Sequence, residues 1–280
     1  MSVTAGESWT SHGLKFHGLS LSGIRTSMAM PELSLSFDVA QAYPFVLNLK
    51  NFFLTHGHMD HAVGVPYILS QKAMTRQPKP RFYMPPSLVE PLTRIMKTWE
   101  EIEEHTYEYD FIGLKPDERV VLNDKYFVTA WPALHRIEAL GYTLFEVRKH
   151  LAPEFRGLPQ GELARLAREG RQINEIEEIP MVSFTGDTRI EFLDQRPWIA
   201  RSKILMMECT YLDDKKSIEH ARQWGHLHLD ELLPRLSAIE AEKIVLIHVS
   251  SRYPTAMAER ILQDRLPAAE RERVVIFPGR

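Results

Sequence analysis

The strongest constraint in the chain is one heptapeptide, Thr55-His56-Gly57-His58-Met59-Asp60-His61, directly after the apolar run Phe52-Phe53-Leu54. Residues two apart in an extended strand end point the same way. His56 and His58 can therefore converge on one point. Asp60 and His61 come next, where the chain can turn into the helix suggested by Ala62 to Leu69, and so are aimed at a second point. Imidazole and carboxylate suit zinc, manganese or iron, and no thiolate is present to favour a structural zinc. With 12 histidines in 280 residues, a chance His-rich surface loop is the weaker explanation.

The rest of the composition bounds the setting. A chain of 280 residues allows one large domain or two small ones. Hydrophobic residues make up 44% and charged residues 25%, as in an ordinary globular chain with a sizeable core. Met1 to Ser11 is polar, so no signal peptide is expected. No stretch approaches the roughly 18 apolar residues of a membrane helix. The sole cysteine, Cys209, excludes an internal disulfide and fits a reducing cytoplasm. A net charge of −3 means that any polyanion must be met by local basic patches.

Short β-rich runs recur at 33–37, 52–54, 81–84, 119–122, 126–131 and 142–147, then at 181–184, 203–208, 243–247 and 273–277. Helical periodicity marks 87–104, 161–170, 217–224, 229–241 and 255–265. The first half is strand-dominated with one long helix, and the second alternates strand and helix. That order predicts an α/β fold of two packed mixed sheets flanked by helices, four layers in one domain over 1–280. No internal repeat is visible. Residues 148–180, charged and rich in glycine, read as a short insertion.

A two-metal site needs further ligands at strand ends. His135 follows the apolar segment ending at Leu134, Asp187 sits in Phe184-Thr185-Gly186-Asp187-Thr188, and His248 closes Ile244-Val245-Leu246-Ile247. Singly, a strand-end histidine is more often a satisfied half-buried residue, and a Gly-Asp pair a turn. Together with the heptapeptide they complete a ligand set.

His-x-His-x-Asp-His followed by a lone His, a Gly-Asp and a strand-end His resembles the metallo-β-lactamase superfamily. Ile247-His248-Val249-Ser250-Ser251-Arg252-Tyr253 narrows the resemblance to ribonuclease Z, the endonuclease that trims the 3′ end of precursor transfer RNA. Glu208 to Asp214, Glu219 to His226, and Leu33-Ser34-Leu35-Ser36-Phe37-Asp38 are similar to its other signatures, in the compact plant-type short form. The resemblance implies the four-layer αβ/βα sandwich. It also implies two divalent ions, zinc first and manganese or iron as substitutes: His56, His58 and His135 on one, Asp60, His61 and His248 on the other, with Asp187 bridging. It further implies a homodimer and a phosphodiester substrate cut by hydroxide attack. Asp60 would handle the attacking water, and His226, held by Glu208, would protonate the leaving 3′-oxygen. Ser250 and Arg252 are expected to contact phosphate, whereas His228 reads as structural or surface.

For RNA contact, Lys72, Arg76, Lys79 and Arg81 form one basic cluster. Arg165, Arg168 and Arg171 would make a stripe on a helix. A solvated face explains either cluster equally well. Within the 148–180 insertion or arm, Arg156 to Gly170 lies where the family carries its substrate arm but lacks a long Gly-Pro-rich pattern, so the alternative substrate is a cyclic nucleotide or another small phosphodiester. Acyl hydrolysis fits poorly with Glu208, His226 and the Ser-x-Arg-Tyr ending. A redox di-iron site fits poorly with His58 where a carboxylate is preferred. An intact ligand set argues against a metal-binding protein without catalysis.

Overall fold

Each half of the chain builds one sheet. In the computed structural model, which describes residues 6–278, the first sheet holds β1 (Glu7–Ser11), β2 (Leu14–Leu21), β3 (Arg25–Met30), β4 (Leu35–Phe37), β5 (Asn51–Phe53), β6 (Arg81–Met84) and β7 (Asp110–Gly113) in sequence order. The second holds β8 (Arg119–Val121), β9 (Tyr126–Ala133), β10 (Ala139–Leu151), β11 (Asn174–Phe184), β12 (Ile204–Glu208), β13 (Lys243–Ile247) and β14 (Val274–Ile276). In both sheets the first four strands pair antiparallel and the last four pair parallel. The halves thus repeat one topology, although no repeat shows in the sequence. Residues 1–5 and 279–280, part of the expected 1–280 domain and of the polar amino-terminal stretch, lie outside the described residues.

The parallel strands explain themselves: Ile204–Glu208 is buried throughout, as strands covered on both faces require. Three apolar layers result. Between the sheets, Phe37 stacks on Phe184 at 5.1 Å, with Phe53, Tyr142 and Val245 around them. Outside the first sheet, α2 (Val65–Met74) and α3 (Pro86–Glu103) bury Leu69, Leu92 and Met96 against Phe52 and Phe82. Outside the second, α5 (Pro197–Ala200), α7 (Leu229–Leu232) and α8 (Thr255–Arg265) bury Ile199, Leu232 and Leu262 against Leu205 and Leu246. The expected four-layer αβ/βα arrangement is what forms.

Several boundaries differ from expectation. Strands β1 to β3 carry serine, threonine, histidine and glycine among few β-branched residues, so their sequences gave no strand signal. The 33–37 strand starts only at Leu35, because Pro31–Leu33 form a 3-10 turn and Ser34 takes φ 52°. The 229–241 helix ends at Leu232 and continues as 3-10 turns to Ala238, where Pro234 removes an N–H from the ladder. The 148–180 insertion is mostly a hairpin: β10 and β11 stay paired out to Leu151↔Asn174, and α4 (Gln160–Arg168) caps its tip. Its strands read as polar because the outer part is exposed on both faces. Among the described residues, no helix is long and apolar enough to cross a membrane.

Candidate metal centre

All the expected ligand residues meet at the ends of strands that face one edge of the two sheets. β5 delivers His56 and His58, and α1 (Met59–Ala62), which starts at once, turns Asp60 and His61 away from them. His135 follows β9, Asp187 follows β11, and His248 follows β13 in a left-handed backbone conformation, φ 55°. His56 Nε2 lies 3.0 Å from His58 Nδ1, which is 3.3 Å from His135 Nε2. A second group joins Asp60 Oδ2 to His61 Nε2 at 3.5 Å and to His248 Nε2 at 3.4 Å.

Asp187 stands between the two groups with one oxygen toward each. Its Oδ2 is 3.7 Å from His56 Nε2 and 4.0 Å from His135 Nε2, while Oδ1 is 3.4 Å from His61 Nε2 and 3.3 Å from His248 Nε2. His61 Nε2 and Asp187 Oδ1 are buried without a hydrogen-bond partner. Two orphaned buried acceptors facing each other fit a cation between them.

The outer nitrogens fix the rings. His61 Nδ1 donates to Asp38 Oδ2 at 2.7 Å, and His135 Nδ1 to the Gly225 carbonyl at 2.9 Å. Thr55 spends its hydroxyl proton on Asp38, so His56 Nδ1 donates to Thr55 Oγ1 at 3.0 Å. Thr210 likewise donates to Glu208, and His248 Nδ1 donates to Thr210 Oγ1 at 3.1 Å. Four imidazoles thereby turn a bare Nε2 inward, the tautomer a metal requires. Burial, then the charge of neighbouring imidazoles, lowers the basicity of His56, and burial does the same for His58 and His135. Burial also opposes ionisation of Asp60, yet the adjoining His248 and His61 imidazoles hold its carboxyl well below the usual range.

Beside the cluster, Glu208 ends β12 fully buried, and its Oε1 lies 3.1 Å from His226 Nδ1. Burial would lower the His226 pKa, but the Glu208 carboxylate outweighs it and the value rises to about 9. His226 is thus a proton carrier 3.8 Å from Asp187 Oδ2, with rings of His248 and His135 alongside.

The description "Beta-lactamase superfamily domain" matches residues 38–249. A tRNase Z of Arabidopsis thaliana is 29% identical over 92% of this chain and 93% of its own length. A chloroplastic tRNase Z of the same plant is 30% identical over 84% of this chain and 67% of its own length. This chain belongs to the beta-lactamase superfamily, in its tRNase Z family. The crystal structure of the metallo-beta-lactamase fold protein YhfI from Bacillus subtilis shares the fold. It has TM-score 0.61 at 13% identity, covering 93% of this chain and 95% of that one.

In this tRNase Z family member, several site residues carried no signal of their own. Asp38 is buried, accepts from His61 and from the Thr55 N–H at 2.7 Å, and orients the heptapeptide. A carboxylate closing an apolar strand, as Asp187 nearly does, was the available clue. Gly225 is needed because a Cβ there would lie 2.6 Å from His135 Nδ1, and its φ is +77°. Gly186, φ +58°, admits Thr55 in the same way at 2.6 Å.

The outer residues fare unevenly. Ser250 and Arg252 sit together on the loop after His248, Arg252 Nε donating to Ser250 Oγ at 3.2 Å and its guanidinium lying 5.4 Å from the Tyr211 ring. His228 is structural: buried, it caps α7 through Nδ1 and donates from Nε2 to the Asp213 carbonyl at 2.9 Å. The first basic cluster is largely committed elsewhere. Lys72 is buried on Gln77 at 3.0 Å, its pKa pulled down to about 8 by burial and by Lys50, and Lys79 pairs with Asp110. The expected arginine stripe is also incomplete, since α4 ends at Arg168 before Arg171 and Arg165 lies between Glu162 and Glu169.

Proposed function

We propose that the chain is a metal-dependent phosphodiesterase, the endonuclease that removes the 3′ trailer of precursor transfer RNA, built as a single metallo-hydrolase domain with 148–180 as a short substrate arm. The observation that carries the chemistry is Asp187 spanning two nitrogen-rich groups beside the protonated His226–Glu208 pair. The tRNase Z relatives carry the choice of substrate. His56, His58 and His135 would hold one divalent ion, Asp60, His61 and His248 the other, and Asp187 both. Zinc suits this N/O set best, with manganese or iron as substitutes. Such ions would make hydroxide available near neutral pH and offset the charge of the phosphodiester.

The chain's own residues do the rest. Asp60, held ionised, accepts a hydrogen bond from the attacking water and orients it, the proton that the water gives up passing to solvent. As the water oxygen bonds to phosphorus, the bond to the 3′-oxygen breaks. His226 donates its Nε2 proton to that oxygen while Glu208 holds Nδ1. Ser250 and the forked guanidinium of Arg252 bind phosphate oxygens. The products are a 3′-hydroxyl and a 5′-phosphate.

We also infer a homodimer, supported by an exposed apolar groove of about 630 Å³ between α1–α2 and α3, lined by Met59, Tyr67, Leu88, Ile95 and Trp99. A cytoplasmic location is supported by one free, buried cysteine.

Metal analysis beside parallel assays on precursor transfer RNA, a cyclic nucleotide and a chromogenic phosphodiester tests the reading. The trailer should be released, and His226→Ala should cut that turnover about 10²-fold or more with metal content intact. Cleavage of small diesters alone would overturn the transfer-RNA assignment, and activity that survives complete metal removal would overturn the mechanism.

A further inference from the structure

The rim of the site beside His226 carries an exposed cation–aromatic stack that the chemistry above does not use. The Arg136 guanidinium lies 4.6 Å from the centre of the Trp224 indole, and Trp224 is 45% exposed. Both residues are tied to the reacting groups. Arg136 directly follows His135, and Trp224 ends α6 (Ile218–Trp224) two residues before His226. Gly225, in the left-handed conformation, lets the chain turn between them and offers its carbonyl to His135.

The pairing is unlike the other surface stacks. The cation over Phe127 is Arg119, bound to Glu178; the one over Tyr126 is Lys125, bound to Glu146. Arg252, over Tyr211, is held by Ser250. Among the described residues the exposed Arg136 is in no ion pair with a carboxylate, and its contact is the Trp224 ring. An exposed indole and an uncommitted guanidinium are the groups on which unstacked bases and adjacent phosphates settle.

We propose that Arg136 and Trp224 form a stacking platform for the nucleobase on the 5′ side of the scissile phosphate. The polarity follows from His226, which protonates the departing 3′-oxygen and therefore faces the nucleotide that owns it. This rests on the nuclease reading above and adds to it the position that grips the upstream nucleotide.

The test is a cycle between enzyme and substrate. Wild type and Trp224→Ala, each checked for an unchanged melting temperature, are assayed on a precursor RNA and on the same RNA made abasic at the nucleotide 5′ of the cut. On the intact RNA, Trp224→Ala should lose roughly 5- to 150-fold in kcat/KM, mainly through KM, and Trp224→Phe should recover most of it. On the abasic RNA the two proteins should differ little. Equal losses on both substrates, or none on the intact RNA, overturn the platform while leaving the nuclease intact. A wild type that cuts no RNA overturns the nuclease reading, and the platform with it.

Discussion

Replacing Glu208 by glutamine removes one charge from beside His226 and leaves nearly every atom in place. Glu208 is fully buried and gathers four donors: Oε1 takes the Thr188 N–H at 2.7 Å and faces His226 at 3.1 Å, and Oε2 takes Thr210 Oγ1 at 2.8 Å and the Leu227 N–H at 3.2 Å. With the charge, His226 holds its proton up to about 9. Without it, burial remains to lower the imidazole and only Asp187 to raise it, so the value should fall toward the ordinary 6.5, by up to about 2.5 pH units. Bound cations would act on His226 in both proteins, so the difference between their alkaline limbs is what should be read.

Above both limbs the protonated fraction falls in the variant, by up to about 300-fold. The assay is a pH profile of kcat/KM on precursor RNA, with a nitrophenyl diester in parallel. Nitrophenolate leaves with little help from an acid, so its hydrolysis should lose far less. Stability carries the same sign. A folded pKa raised above the unfolded value contributes fully below about 6.5 and is lost as pH rises through about 9, an effect of roughly 3 kcal/mol in the wild type and absent in the variant. The variant also strands an N–H donor, costing about 1–3 kcal/mol, so folding is checked first. Coincident alkaline limbs, or equal losses on both substrates, would refute the role given to the pair.

Asp38→Asn should weaken metal binding about 10- to 100-fold, because His61 loses the carboxylate that fixes its tautomer; unchanged affinity in a chelator competition would count against it. Gly141→Ala should lower the melting temperature, at about 1–3 kcal/mol, since its Cβ would sit 2.2 Å from the fully buried Trp131 indole. A melting curve identical to wild type would show that the indole can yield.

The candidate site was more legible than the frame that holds it. Metal-ligating side chains are chemically rare, so the heptapeptide, His135, Asp187 and His248 stood out at strand ends, and the structure brings them within 4.8 Å in two groups that Asp187 adjoins. Asp38 and Thr210 gave no comparable signal. Acids and hydroxyls that orient a ring look like any other polar residue until the ring is beside them. The basic clusters were left open for the converse reason: charges such as Lys72 and Arg165 look alike in sequence whether free or paired, and only the fold supplies Gln77 and Glu162 to meet them.

By itself the sequence determined the chemistry on offer, the strand ends that present it, and the alternation of strand and helix that makes a four-layer sandwich. Only the tertiary structure decided that three polar amino-terminal strands complete the first sheet, that residues 148–180 continue a hairpin, and that the two halves share one topology. Burial pattern and residue type are local and can be read along the chain. Strand pairing and the second partner of each imidazole depend on contacts far apart in sequence, such as Asp38 with His61 or His135 with Gly225, and exist only once the sheets have closed.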